Sequence, residues 1–456
     1  MTKKTHSATR ILLAAVCMAG VGPLLAAHAA SNTAGAAPAN PVSPARRARD
    51  PAQALTKALA DPTAWPEQKL LAADGAGGDS FGYSVALSGT VAVVGALQAT
   101  VNGHAAQGAA YIFTKIDGVW TQQQKLVASD GAQYDQFGKA VAIDGTTVLI
   151  GAQGASARAG AAYVFSATGG TWMQTQKLMS SDSAGNANFG GAVALKGSVA
   201  IVGEYNATVN GITQQGAAYV FTPTNGTWTQ SQKLVASDGA SDDQFGHAVA
   251  LDGTTVAIGA WGATVNGNQS QGAVYLFSAA GGIWSETQKV IAGDGQAQDE
   301  FGRSIAVSGN ELLVGAAYAA GGAGVVYAYR DDAAGWIQTQ EFAASDSVSG
   351  DEFGYALAID GSTALVGAIG VSSSNPDQGA AYTFVNANGS WSESNKLTAS
   401  DGAHYDFFGY SVALNDADAL VGAEAATVGG NAGQGAAYVY TRPADDRIFA
   451  DGFDAP

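Results

Sequence analysis

The chain has 456 residues, 61 of them glycine, with 47% apolar and 13% charged residues and a formal net charge of −17. This composition can form a core, and its glycines lack the three-residue period of collagen. The acidic balance repels phosphate backbones and anionic lipid, which excludes nucleic-acid and membrane-surface binding and leaves cations and neutral partners such as proteins or glycans.

Residues 1–29 read as a secretory signal: Lys3, Lys4 and Arg10, an apolar run from Ile11 to Leu25, and Ala27-His28-Ala29 as a small-residue cleavage site. The expected location is therefore secreted, at the cell surface or in the periplasm. The single cysteine, Cys17, lies in that run, so the mature chain has no thiol for disulfides, thiolate catalysis or zinc. Residues 30–64 are Ala/Pro-rich and carry Arg46-Arg47-Ala48-Arg49, the composition of a flexible leader. No later segment reaches the ~18 apolar residues of a membrane span, so no transmembrane segment is expected.

From residue 65 a Phe-Gly pair recurs, with its glycine at 82, 138, 190, 246, 302, 354 and 409. Seven copies at this spacing indicate a propeller, solenoid or array. Each copy holds four strand-like segments, in the second "FGKAVAI", "TTVLIGA", "GAAYVF" and "TWMQTQKL", with no sustained helical periodicity. Asp144-Gly145, Asp252-Gly253 and Asp360-Gly361 join first to second strands, and Asp117-Gly118, Asn225-Gly226 and Asn388-Gly389 join third to fourth. Asx-Gly suits a type I′ hairpin, so each copy is expected to be an antiparallel meander. In "GAAYVF", Ala161, Tyr163 and Phe165 alternate with Ala162 and Val164, so both faces are apolar and need neighbours on both sides.

The expected fold is all-β: a seven-bladed propeller of four-stranded blades over 65–440, followed by a tail at 441–456. The last copy lacks a Trp strand, whereas "AWPEQKLL" with Trp65 precedes the first, so this strand is expected to complete the seventh blade and close the ring.

These segments, with "FGYSVAL", "VAVVGA" and "GAAYIF" in the first copy, resemble the FG-GAP repeat family, best known from the β-propeller heads of integrin α subunits, here as an exported bacterial member. The resemblance implies the fold and a role in adhesion or binding. In several integrin-type repeats the link between first and second strands carries a calcium loop. Here that link is only "SGT", "DGTT", "KGS" or "NDAD", so those calcium positions do not carry over.

Aspartates five apart precede the Phe-Gly pair: Asp74/Asp79, Asp130/Asp135, Asp238/Asp243, Asp294/Asp299, Asp346/Asp351 and Asp401/Asp406; the third copy keeps Asp182 but has Ala187. Two readings are open. Calcium would use the pairs as hard oxygen ligands, needing further oxygens from carbonyls or water. Alternatively Asp-Gly opens a turn and the second Asp takes free backbone N–H groups, an Asx turn.

"GDSFG" at 78–82 matches a nucleophile elbow only formally, because Ser80 is replaced in every other copy and no helix follows. His104, His247 and His404 fall at different repeat positions, without metal-site spacing. The link between second and third strands varies most, with "ATVNG" at 99–103, 207–211 and 263–267 and "ATVGG" at 426–430; Tyr205, Trp261 and Tyr318 stand nearby. Variable loops on a rigid ring are where binding resides. The expected function is a monomeric, non-catalytic module binding a protein or glycan through rim loops, with calcium as a candidate aid and no assigned catalytic residue. The competing classes are a hydrolase or lyase using rim carboxylates, and a structural envelope or matrix protein.

Overall fold

The computed structural model describes residues 65–332, 334–373 and 375–443. The expected signal, the leader and most of the tail lie outside the described residues. Strands β1 to β28 form seven four-stranded antiparallel sheets. After β1 (Glu67–Leu70), blade one is β2 (Phe81–Ser88), β3 (Val91–Ala96), β4 (Ala109–Ile116) and β5 (Val119–Leu126). Blade two is β6 (Phe137–Asp144), β7 (Thr147–Ala152), β8 (Ala161–Thr168) and β9 (Thr171–Leu178). Blades three to six repeat the pattern, and blade seven contains β26 (Phe408–Leu414), β27 (Asp418–Ala423) and β28 (Ala436–Thr441). At the outer edge of blade seven, β1 pairs with β28 from Glu67↔Tyr440 to Leu70↔Ala437. Single helical turns at Ala155–Arg158 and Ala319–Gly322 occupy the two shorter links.

Each blade separates two cores. Ala161, Tyr163 and Phe165 of β8 join Phe137 and the blade-one residues Ala110, Ile112 and Leu126, whereas Ala162 and Val164 join blade-three residues. Both faces of the middle strands are thereby buried against neighbouring sheets, as apolar strands on both sides require.

The turns depart from expectation on one side. Asp117-Gly118, Asn225-Gly226 and Asn388-Gly389 have positive φ at both residues, as type I′ demands. In the first-to-second connections Asp144 ends its strand, and Gly145 (φ +55°) is the first central residue, followed by Thr146, which is not left-handed. That is the glycine placement of a II′ turn. Asp144 is thus free to accept the Gly197 N–H of the next blade, and Asp252 accepts that of Gly309.

A side-chain clasp joins neighbouring outer strands. Gln176 Nε2 donates to the Trp228 carbonyl (2.6 Å) and its Oε1 accepts the Trp228 N–H (2.8 Å), so one amide imitates a strand partner. Gln68, Gln124, Gln232, Gln288 and Gln340 repeat the arrangement. Blade six has Asn395 at this position, one methylene shorter, and its amide stays on Thr383 and Ser394. Replacing Gln176 with Ala removes both bonds at a partly buried seam and is expected to cost about 1–3 kcal/mol, measured as a lowered urea midpoint.

Candidate functional site: the Asp rim and the axial mouth

In six of the seven links the first aspartate accepts from a tyrosine and a lysine. Asp130 Oδ1 takes the Tyr163 hydroxyl (3.0 Å) and Oδ2 the Lys177 ammonium (2.7 Å). Asp74, Asp182, Asp238, Asp346 and Asp401 do the same with Tyr111/Lys125, Tyr219/Lys233, Tyr275/Lys289, Tyr382/Lys396 and Tyr438/Lys69. Burial pushes the Asp130 carboxyl up, but hydrogen bonds from Lys177 and Tyr163 and the lysine charge outweigh it and hold the group below its usual range.

The second aspartate closes its own turn. Asp135 Oδ2 accepts the Ala132 N–H, and Asp79, Asp243, Asp299, Asp351 and Asp406 accept from Ala76, Ala240, Gln296, Val348 and Ala403. The pairs therefore sit one per link, spread around the rim. Among the described residues no three His, Cys, Asp or Glu side chains are grouped to hold a metal.

The glycine of each Asp-Gly has a reason other than turn formation. A Cβ on Gly131 would lie 2.3 Å from Gln107 Nε2, and Gly75, Gly239, Gly295 and Gly402 meet Gln434, Gln215, Gln271 and Gln378 in the same way. Where the preceding link is short and has Ala159 or Ala323 instead of glutamine, the residue after the aspartate is Ser183 or Ser347, whose hydroxyl donates to that alanine's carbonyl. Glutamine with glycine and alanine with serine are two fillings of one joint.

Two copies break the pattern. In the third, where Ala187 replaces the second aspartate, Glu204 supplies a buried carboxylate from the end of its second strand. The Tyr219 hydroxyl lies 2.6 Å from Glu204 Oε2 and 2.8 Å from Asp182 Oδ1, yet it has one proton to give. The contacts are satisfied when Tyr219 donates to Asp182, held ionised by Lys233, and a protonated Glu204 donates to the tyrosine oxygen. Burial pushes Glu204 up in accord with this. In the fifth copy Glu341 replaces the lysine and faces Asp294; burial, then the Asp294 charge, push it up.

The central axis carries a different set of residues. The Phe-Gly turn opens each inner strand, and in blades one, two, three, six and seven it forms a bulge, with Phe81 opposite Ala96 and Ser84 opposite Gly95. Bulges re-aim side chains, and the residue after the glycine points to the axis. These residues are Tyr83, Lys139, Gly191, His247, Arg303, Tyr355 and Tyr410. Lys139 lies 4.6 Å over Tyr83, Tyr83 packs 4.9 Å from Tyr410, and Tyr410 packs 5.2 Å from Tyr355. Arg303 lies 5.2 Å from Tyr355, 5.4 Å from Tyr318 and 6.0 Å from Trp261, and bonds Glu300 at 2.7 Å. His247 meets Trp261 and Tyr205 edge-on. The Tyr205 hydroxyl donates to Gln153, which donates to Gln136, completing the circuit beside Lys139. Tyr205 fills the space that Gly191 leaves.

The mouth is partly exposed, and further along the inner strands Val85, Val141, Leu251, Val307, Ile359 and Val412 are among the residues lining a space of about 250 Å³. Burial, reinforced by the Arg303 and Lys139 charges, lowers His247 to about 3 and leaves it neutral. Burial raises Glu300, Glu352 and Glu424.

Of the residues singled out in the sequence, Tyr205, Trp261 and Tyr318 come together here. The histidines do not: His104 bonds Gln107, His247 is axial, and His404 lies beside Tyr405. Ser80 stands in a left-handed turn and bonds Glu424. Sequence reasoning missed the residue after Phe-Gly, although its variety among copies is readable once they are aligned.

The FG-GAP repeat model matches seven segments, 65–113, 120–165, 172–221, 228–277, 284–329, 336–384 and 391–440. The chain belongs to the FG-GAP repeat family. Its sequence unit starts on a Trp strand whereas its blade starts at Phe-Gly, so unit and blade are one strand out of phase. No curated protein matches the chain. The crystal structure of Saccharomyces cerevisiae Sqt1 is similar at 11% identity and a TM-score of 0.45, over 81% of this chain and 97% of that one, too distant to bear on function. Among the described residues no helix is long and apolar enough to cross a membrane.

Two substitutions test the broken copies. Glu341→Lys restores the Tyr-Asp-Lys arrangement and is expected to raise the urea midpoint, by no more than ~1 kcal/mol for so exposed a pair. Glu204 has a folded pKa above its unfolded value, so its stabilising contribution is present at low pH and lost as pH rises through the folded value. Glu204→Gln keeps the donor without the titrating proton, so wild-type stability should fall relative to the variant as pH rises above the ordinary glutamate range in urea melts.

Proposed function

We propose that this propeller is an exported, non-catalytic binding module that recognises a protein or glycan through the rim bearing the Asp links and the axial mouth. The FG-GAP fold is consistent with a binding module. The observation that carries the reading is the axial circuit of aromatic and cationic side chains, since it gathers different residues at equivalent backbone positions. The second-to-third links lie on the same rim, because Tyr134 and Gln136 of one Asp link donate to Ala105 and Ala106 of the preceding loop. A rigid ring presenting unlike side chains at its centre is suited to recognition.

Calcium would enter at the Asp links, where Tyr163 and Lys177 already hold Asp130 and a backbone N–H holds Asp135. Binding of the mature protein to panels of purified proteins and glycans is the test, run in calcium and in chelator. Saturable binding is expected, equal in both conditions, and lost when the loops at 99–103 and 263–267 are shortened or Trp261 is changed to Ala without a change in melting temperature. Absence of binding across both panels, or binding indifferent to every rim variant, would refute the reading.

A further inference from the structure

We infer that the axial mouth takes a neutral, hydroxyl-rich sugar, a pyranose unit of an uncharged glycan, between Lys139 and the tyrosine arc of Tyr83, Tyr410 and Tyr355. This rests on the reading of the rim as the binding face and names the ligand class.

Four of the mouth's aromatic rings already lie beside a cation. Arg303 covers Trp261, Tyr318 and Tyr355, and Lys139 covers Tyr83. A cationic ligand would compete with two charges fixed in the wall, so an aromatic cage for an ammonium group is not what this mouth offers.

The polar groups favour a ligand that donates and accepts at once. Of the nine lysines in the described residues, eight have a carboxylate oxygen within 3.4 Å, and Lys139 is the exception. Its ammonium reaches Tyr83 Oη, which uses one of three donors. Glu424 senses the Lys139 charge without lying within ion-pair distance, and Glu352 forms no ion pair among the described residues. Separated donors and acceptors around one opening are bridged by hydroxyl groups, each of which gives one hydrogen bond and receives others. A carboxylate-bearing ligand would meet Glu424, Glu352 and a chain of net charge −17.

The walls suit the apolar side of such a ligand. Tyr410 and Tyr355 present tilted, partly exposed rings on which the C–H face of a pyranose packs. Two buried wall atoms, His247 Nδ1 and Trp261 Nε1, have no hydrogen-bond partner among the described residues, so polar capacity in the wall is unspent.

Trp261 makes the site observable. The full mature chain is titrated with neutral oligosaccharides of glucose, galactose, mannose and N-acetylglucosamine, with uronic-acid oligomers and with deacetylated amino-sugar oligomers, each to millimolar concentration, reading tryptophan emission and heat. At least one neutral series is expected to give a saturable signal, weakened about tenfold or more by Tyr410→Ala and by Lys139→Ala. Tyr410→Phe, which keeps the ring and its packing, should retain most of the binding, separating loss of the site from loss of the fold. Signal confined to the uronate or amino-sugar series, or neutral binding unaffected by both alanine variants, overturns the assignment. If no sugar binds but a purified protein does, in a manner that depends on the rim loops, the sugar assignment falls and the binding-module reading survives; if neither binds, both fall.

Discussion

The structure depends on how closely the backbones of adjacent blades approach at each Phe-Gly turn. A Cβ on Gly95 would lie 2.2 Å from the Gly138 carbonyl oxygen, and one on Gly138 would lie 2.4 Å from that of Ala109. Gly138 also takes φ +91°, which L side chains rarely adopt. The Phe137 N–H donates to Gln107 of the preceding blade, and the Phe137 ring, wholly buried, fills the space between the two sheets. The seam is therefore a backbone weld with an aromatic filler, and it leaves no room for variation in the pair itself.

Everything functional follows from what that weld points where. In five of the seven blades it forces a bulge at the start of the inner strand, and in all of them the next residue turns toward the axis. That residue is under no comparable packing demand, and it is Tyr, Lys, Gly, His, Arg, Tyr and Tyr in successive blades. Repetition of backbone with variation at one position creates an asymmetric mouth on a nearly symmetric ring. The rim aspartates show the opposite behaviour: they repeat because the same bonds recur, with Tyr and Lys donating to the first aspartate in all links but the fifth and a backbone N–H closing the turn on the second in all but the third.

The two departures from the repeat show how tightly these bonds are coupled. Blade three loses a carboxylate at Ala187 and regains one at Glu204, close enough to share Tyr219 with Asp182. The glycine-to-serine change after the aspartate follows the glutamine-to-alanine change in the neighbouring loop, because both residues occupy the same few ångströms. Charge in the fifth copy is the unsolved case, where Glu341 stands against Asp294 with no lysine.

Much of the fold was legible in the chain. The period of the Phe-Gly pair, the strand alternation in segments such as "GAAYVF", and the Asx-Gly turns specify seven antiparallel blades, since they depend on local geometry and on faces that must be covered. The hairpin type at Asp144-Gly145 was not legible, because the same dipeptide serves either turn and the bond from Gly197 on the next blade draws on Asp144. The glycine of Asp-Gly likewise looked like a turn residue, and only packing identifies Gln107 as the atom group it must admit. The axial mouth lay furthest from view. Tyr83, Lys139, Arg303 and Tyr410 are separated by tens to hundreds of residues, and nothing local marks them as neighbours. Sequence by itself determined the blades and their number, through periodicity and turn chemistry; which side chains meet on the axis was decided only when the ring brought seven Phe-Gly turns to one centre.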